Sequence, residues 1–573
     1  MSDDADIGDQ DRDVGAGSDA DADPGIEAEL DEFGRDARGR WPADRARPDD
    51  FADDIIPAPP RFRADGERVA DPDLTAATLA GLGSEDEVLA ATADLDDDGG
   101  ADIVPDSAPL TIAVVEAILN AKRPETQIHP SLERIIGLMD LLGNPQRSYP
   151  VIQVGGTNGK TSTARMIDAL LSRLGLRTGR FTSPHLQSVT ERISVDGVPI
   201  SAARYVEIYA DIAPYVDLLD AGSVRTGGIP LSKFEILTAM ALSGFADTPV
   251  DVAVLEVGLG GTWDSTTVAD ATVAAIGPIG LDHQDYLGEH ISDIAANKAG
   301  IIKSGAIAVI GRQVPEAMDV LLRRTVEVDA TVARFGAEFT VLERAFAVGG
   351  QRLTLRGLGG EYPDVFLPLA GAHQAENAAV ALAAVEAFFS AGAQRALDRD
   401  AVQDAFAAVA SPGRLERIST APTVLIDAAH NVDGARALAA TLAAEFSFRR
   451  LVGVLAVMRD KDIHGILEAL RDVLGQVVVT VNSSPRSMPV AELAQEAEAV
   501  FGPDRVHRAD TLAAALALAV DLATEPDDGD FGANTYSGDT DSAGTDPSGA
   551  GVLVTGSVVS AGDARALAGL DPQ

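Results

Sequence analysis

The chain has 573 residues, a formal net charge of −44 and no cysteine. That length holds more than one domain, and the charge argues against nucleic acid or an anionic membrane as the main partner. The missing thiols exclude a disulfide framework, a thiolate metal site and a cysteine nucleophile.

The first 107 residues differ from the rest. Acidic runs such as Glu85-Asp86-Glu87 and Asp96-Asp97-Asp98 alternate with Pro, Gly and Ala, and aromatics are few. Such a stretch buries too little apolar area to offset chain entropy, so 1–107 is expected to be a disordered acidic tail. No basic start with an apolar follow-on appears, and no apolar run approaches the ~18 residues of a membrane span, so a cytoplasmic location is expected.

From Leu110 the pattern becomes regular. A helix is predicted over Thr111–Ala121, and a second opens at Ser131 and stops at Gly143-Asn144-Pro145. Apolar runs of strand length follow at Val151-Ile152, Asp251–Glu256, Thr272–Ile276 and Ala306–Ile310, with helical periodicity between them. Strands alternating with helices imply a mostly parallel sheet covered on both faces. Short alternating stretches over 337–368 predict a β-hairpin region, and residues 374–390 an alanine-rich helix. After a break at Ser411-Pro412-Gly413, strand-length runs recur at Thr423–Ile426, Leu451–Leu455, Val477–Thr480 and Val552–Thr555, predicting a second α/β domain. The Asp/Gly/Ser/Thr-rich stretch 525–549 reads as a disordered insertion.

Between the first strand and its helix stands Gly156-Thr157-Asn158-Gly159-Lys160-Thr161-Ser162. Glycines let backbone N–H groups turn toward one anion, and the helix N-terminus adds partial positive charge. Lys160 would reach the outer phosphates, and Thr161 or Ser162 would offer a hydroxyl to Mg²⁺. The strict Walker spacing needs glycine where Val154 stands, so this is a variant P-loop. Downstream, Glu256 ends an apolar strand on the same carboxyl edge of a parallel sheet, where it is placed to hold Mg²⁺ against phosphates. Ser183, in Ser183-Pro184-His185-Leu186, is a hard oxygen donor. His283 follows another strand, and Lys298 lies on a helix near that edge. A P-loop alone does not separate a kinase, a switch GTPase and a ligase. Gly300, where a guanine-reading Asn-Lys-x-Asp would carry its Asp, weakens the switch reading.

These clusters, in this order, resemble the folylpolyglutamate synthase/dihydrofolate synthase family of the Mur ligase superfamily. The carrying residues are Leu142-Gly143-Asn144-Pro145, Gly156–Lys160, Ser183–Leu186, Glu256-Val257-Gly258-Leu259-Gly260-Gly261, Leu281-Asp282-His283, Lys298-Ala299-Gly300-Ile301, His373–Ala378, Pro412-Gly413-Arg414 and Asp427-Ala428-Ala429-His430-Asn431. The resemblance implies an α/β chain with a P-loop, Mur-ligase-like ATP-binding domain over 108–411 and a smaller Rossmann-like C-terminal domain over 412–573. It implies ATP between the domains, held by Thr157, Asn158, Gly159, Lys160, Thr161 and Ser162 on one side and by Asn377, Arg414 and Asp427 on the other. Ser183, Glu256 and His283 match the family's Mg²⁺ ligands. Lys298 matches a lysine carried as a carbamate that supports a second Mg²⁺, so Lys160, His283 and Lys298 are the catalytic candidates. The pterin-binding stretches map onto Ser232-Lys233-Phe234-Glu235 and Trp263-Asp264-Ser265, where Phe234 and Trp263 would stack on a flat ring.

The implied reaction joins L-glutamate to dihydropteroate or reduced folates through an acyl phosphate, in a monomer that binds neither nucleic acid nor membrane. Two alternatives stand beside it: a Mur-type ligase acting on a peptidoglycan precursor, and a nucleotide-binding switch protein without ligase activity.

Overall fold

A computed structural model describes residues 110–125, 127–389, 396–525 and 549–573. The acidic stretch 1–107 and nearly all of 525–549 lie outside the described residues. The first sheet has eight strands: β1 (Val151–Gly155), β2 (Thr178–Phe181), β3 (Ile193–Val195), β4 (Val198–Pro199), β5 (Val252–Glu256), β6 (Val273–Ile276), β7 (Ile307–Ile310) and β8 (Thr331–Arg334). Their order is β4-β3-β2-β5-β1-β6-β7-β8. The six strands from β2 to β8 in that order run parallel, and β3 and β4 add an antiparallel edge. Side chains alternate between two faces. Ile152 and Val154 of β1 join the core under the P-loop helix, Lys160–Arg173, while Val151 joins the core on the opposite face. Both faces are covered, so β1 and β5 are buried along their whole length.

The alanine-rich helix runs from Ala372 to Phe388, and Ala378, Ala379, Ala381, Ala383 and Ala384 are buried. Small side chains let it pack close against the P-loop helix, β6, β7 and β9 (Thr340–Ala347). The predicted hairpin is a three-stranded antiparallel sheet, in which β10 (Gly350–Arg356) pairs with both β9 and β11 (Glu361–Leu367). Thr111 caps the first helix, Ile112–Ala121, and does not belong to it.

The remaining strands form a six-stranded sheet: β12 (Glu416–Thr420), β13 (Thr423–Ile426), β14 (Arg450–Leu455), β15 (Gln476–Val479), β16 (Val506–Arg508) and β17 (Ala550–Thr555), in the order β12-β13-β17-β14-β15-β16. Only β12 runs antiparallel. Leu425 and Leu455 face one core, and Val424, Ile426, Val452 and Val454 the other. The two large sheets meet at separate points. Asn158 and Asn431 exchange amide hydrogen bonds of 3.3 and 3.0 Å. Glu445 accepts the Gly371 N–H at 2.9 Å and pairs with Arg344 of β9. Gln187 accepts from Arg565 Nε at 2.9 Å.

Strand β2 carries no apolar run, because Arg180 occupies its middle. Arg180 is buried against Asp168 of the P-loop helix and donates to Ser194 Oγ of β3 at 2.9 Å, and Asp168 also accepts the Thr178 hydroxyl at 2.5 Å. Asp168 therefore fastens the P-loop helix to β2. Asp168→Ala leaves Arg180 buried without its counter-charge, so stability to urea is expected to fall by about 3–5 kcal/mol; an unchanged midpoint contradicts the role given to this pair.

Candidate active site

The P-loop leaves β1 at the carboxyl edge of the sheet. The Thr157 N–H donates to Pro278 O at 2.8 Å, and its hydroxyl bonds Gly280 O at 3.1 Å and accepts from the Gly280 N–H at 3.0 Å, so the loop is tied to the chain leaving β6. Gly159 has φ +81°, and an ideal Cβ there would lie 2.6 Å from Asn377 Oδ1. Close approach of the alanine-rich helix, together with the left-handed backbone, excludes a side chain at this position. Lys160 opens the helix and donates to Gly156 O at 3.3 Å and Thr157 O at 3.0 Å. Burial pushes its ammonium down, while Glu256, Asp282 and Asp264 oppose that shift. Ser162 Oγ lies 3.0 Å from Ser411 Oγ and 3.4 Å from Gln374 Nε2; Gln374 accepts from Asn377 Nδ2 at 3.1 Å. The P-loop residues and Asn377 thus form one hydrogen-bonded neighbourhood.

Glu256, at the end of β5, is 1 % exposed. One carboxylate oxygen accepts the Thr161 hydroxyl at 2.9 Å and the other the Ser183 N–H at 3.3 Å. Burial pushes its carboxyl up, with Lys160, Thr161 and Ser183 opposing. Thr161, Ser183 and Glu256 are oxygen donors of the kind Mg²⁺ takes, and a cation would favour the buried charge. Among the described residues no group of three or more His, Asp or Glu side chains converges on one point.

His283 lies past the end of β6. Its backbone is left-handed (φ +53°), and its imidazole lies 3.9 Å from Asp282 Oδ1. Its side chain is 41 % exposed; the partial desolvation it has, with Lys461 and Lys160 nearby, pushes the imidazole down against the pull of Asp282 and favours the neutral form able to act as a ligand. Lys298 ends the helix Ile291–Lys298, and a short 3₁₀ turn, Ala299–Ile301, follows. Its Nζ donates to Gly156 O at 2.8 Å. Burial, reinforced by Lys160, pushes this ammonium down to about 7.

On the facing sheet, Asp427 accepts the Leu415 and Ala429 N–H groups at 2.8 Å each. Burial raises its carboxyl, and Arg414 opposes the shift. Four further residues were not among the sequence candidates. Asp282 accepts from Lys461 Nζ at 2.8 Å and Asn431 Nδ2 at 3.0 Å, and His430 Nε2 lies 3.8 Å away. Burial alone would raise the Asp282 carboxyl; His283, Lys461 and His430 outweigh it and hold it below the usual range. Asp282, His430 and Asn431 lay within motifs already singled out. Lys461 lies in the charged run Arg459-Asp460-Lys461-Asp462 just past β14, at a carboxyl edge, and that placement was its signal.

The pterin candidates divide. Ser232 caps the helix Lys233–Asp247, and Glu235 returns the bond while pairing with Arg123 at 3.2 Å and Arg134 at 2.9 Å. Lys233 is engaged by Glu116 at 3.3 Å and Asn120 at 2.8 Å. Phe234 lies 5.9 Å from Phe181, centroid to centroid. Asp264 is buried and accepts the Leu259 and Thr266 N–H groups at 2.8 and 3.0 Å; it caps the turn Ser265–Val268. Trp263 packs in a different apolar cluster from Phe234, and among the described residues no ring contact joins them. Both rings are partly buried, Phe234 against the cluster around Phe181 and Trp263 against the cluster around Ile294.

Two domain families match: the Mur ligase middle domain over 230–385 and the Mur ligase glutamate ligase domain over 413–529. The dihydrofolate synthase/folylpolyglutamate synthase of Mycobacterium tuberculosis is 58% identical over 468 residues, covering 80% of this chain and 94% of that protein. The chain belongs to the dihydrofolate synthase/folylpolyglutamate synthase family. A folylpolyglutamate synthase from Lacticaseibacillus casei is 35% identical over 359 residues, covering 62% of this chain and 83% of the relative. Among solved structures, M. tuberculosis folylpolyglutamate synthase complexed with ADP aligns with TM-score 0.74 and 56% identity over 81% of this chain and 99% of the other. E. coli FolC in complex with DHPP and ADP aligns with TM-score 0.66 and 28% identity, covering 81% of this chain and 99% of that one. Among the described residues, no helix is long and apolar enough to cross a membrane.

The Gly159 contact makes a sharp test. Gly159→Ala combines left-handed strain with a clash on Asn377, and kcat/KM for ATP is expected to fall more than about tenfold. Wild-type kcat/KM in a folded variant contradicts the packing described.

Proposed function

We propose that this member of the family joins L-glutamate both to dihydropteroate and to reduced folates, at one site between the two large sheets. The observation that carries the reading is the convergence of Lys160, Thr161, Ser183 and Glu256 at the P-loop, facing Arg414 and Asp427 across the cleft. The acceptor carboxylate attacks the γ-phosphorus of ATP, the bond to the β-phosphate oxygen breaks, and ADP leaves. The resulting acyl phosphate carries a leaving group that the free carboxylate lacks. The amine of L-glutamate then attacks the acyl carbon, gives up a proton, and expels phosphate.

In this reading Lys160 swings from the Gly156 and Thr157 carbonyls to the transferred phosphoryl group and offsets its charge. The P-loop N–H groups orient the phosphates, and Asn377, Arg414 and Asp427 hold the nucleotide from the far side. Ser183, Glu256 and His283 would hold Mg²⁺, which supplies charge neutralisation for the phosphoryl oxygens. The opposing sheet excludes water from the acyl phosphate. Lys298, with its ammonium near 7, is half neutral at physiological pH. Only the neutral amine adds CO₂, and the carbamate formed is an anion able to support a second cation.

Release of ADP decides the reading. With the purified chain it is expected with dihydropteroate or tetrahydrofolate only when L-glutamate is present, and Lys160→Ala abolishes it. Turnover driven by a UDP-linked peptidoglycan precursor, or turnover indifferent to glutamate, would replace this function. His283→Ala is expected to raise the Mg²⁺ concentration needed for half-maximal rate, and an unchanged titration removes it from the metal site. The Lys298 amine is mostly protonated at pH 6 and mostly neutral at pH 8. A ¹³C-bicarbonate carbamate signal should therefore grow across that interval and vanish in Lys298→Arg; equal signal in the variant rejects the assignment.

A further inference from the structure

The loop Ser183–Ser188 touches the nucleotide site at one end and the C-terminal sheet at the other. At the first end, the Ser183 N–H donates to Glu256. From beneath, Glu191 accepts the N–H groups of Leu186, Gln187 and Ser188 at 2.8, 2.9 and 2.9 Å, which gives the loop a defined shape. At the second end, Leu186 packs into the apolar core of the C-terminal sheet. The helix Val558–Leu567 comes so near that an ideal Cβ on Gly562 would lie 2.0 Å from Leu186 O. Beside it Arg565, 1 % exposed, donates from Nε to Gln187 Oε1 at 2.9 Å and from Nη2 to Asp571 O at 2.8 Å, and pairs with Glu416 through Nη1. Gln187 Nε2 returns a bond to Leu570 O at 2.8 Å. The second oxygen of Glu416 accepts the Gly413 N–H at 2.8 Å, in the turn that presents Arg414.

A buried guanidinium is retained only where its donors are used. Here they join the turn before Arg414 to the loop that begins at Ser183. We propose that Gly562 and Arg565 form a socket for Leu186 and Gln187, and that Arg565 is a positioning residue through which the C-terminal sheet sets the Glu256 side of the site. When the socket is filled, the Ser183 end of the loop is held against Glu256 and the Arg414 turn is held by the same guanidinium. Both sides of the phosphate cleft then take their geometry from one side chain that touches no substrate. This rests on the reading of Ser183 and Glu256 as the metal side of the site.

The test compares Gln187→Ala, Arg565→Gln, their double variant and Ser183→Ala in the full chain. Gln187→Ala, which leaves Arg565 with Glu416, guards against misfolding of the buried-arginine variant. Each socket variant is expected to lower kcat about tenfold, the scale of one hydrogen bond to a charged group, and to leave the KM for ATP within about twofold. The half-saturating Mg²⁺ concentration should rise with it. The double variant should be no worse than the more impaired single one, since both remove the same link. Without nucleotide, the amides of Leu186, Gln187 and Ser188 should exchange hydrogen about tenfold faster, while those of the P-loop helix stay as in wild type. A folded Gln187→Ala with wild-type kcat, Mg²⁺ dependence and exchange overturns the proposal, as does a loss confined to melting temperature. Full activity of Ser183→Ala, with socket variants still impaired, keeps the socket and removes the Ser183 hydroxyl from the metal reading instead.

Discussion

A carboxylate taken out of water is costly unless something answers its charge, and Glu256 is such a carboxylate. It sits at the end of a strand buried on both faces, where only backbone and hydroxyl donors reach it. The surroundings supply part of the answer: the Thr161 hydroxyl from the P-loop helix, the Ser183 N–H from the next strand's exit, and the charge of Lys160. Thr161 and Lys160 come from the helix that follows β1 and Ser183 from the exit of β2, so the arrangement depends on the register β2-β5-β1. The cost that remains is what a substrate-borne cation would relieve. The site is thus built around a charge the fold alone leaves incompletely balanced.

The parts visible in the sequence were those set by short-range rules. Strands β1, β5, β6 and β7 announce themselves as apolar runs because both faces are covered, and glycine marks the P-loop because the backbone there must turn. Strands such as β2 escaped, since Arg180 reads as a surface residue until Asp168, twelve positions away, is known to face it. β11 and β16 lie at sheet edges, where alternation is broken by exposed residues. In the site, the P-loop and Glu256 stood out because each ends or follows an apolar strand, whereas Asp427, an ordinary strand-end residue when read alone, entered through the family resemblance. Lys461 did not stand out, because the charged run past β14 marks a carboxyl edge but not its partner, Asp282, which comes from beyond the other sheet. Likewise, no local pattern could tell that Phe234 and Trp263 pack against different apolar clusters.

The two sheets divide the work unequally. The N-terminal sheet carries the phosphate loop, Glu256 and Lys298, all within a rigid, close-packed layer. The C-terminal sheet contributes fewer groups to the site, yet nearly all of them act across the cleft: Asn431 on Asn158, Lys461 on Asp282, Arg565 on Gln187. Its apolar cores hold no part of the nucleotide loop. Its role is one of placement.

That placement is made at three regions: the Asn158–Asn431 exchange with Lys461 on Asp282, the C-terminal residues held by Gln187 on Arg565 and Leu570 and by Arg165 on Gln573, and Glu445 joined to Gly371 and Arg344. Three contacts locate one solid against another, and two leave only an axis. Should a ligand draw Asn158 and Asp282 away from Asn431 and Lys461, the C-terminal sheet would keep Gln187–Arg565 and the Glu445 bracket as two pivots. Its remaining freedom would be a swing about the line between them, opening the cleft at the P-loop like a door hung on the far side from its latch.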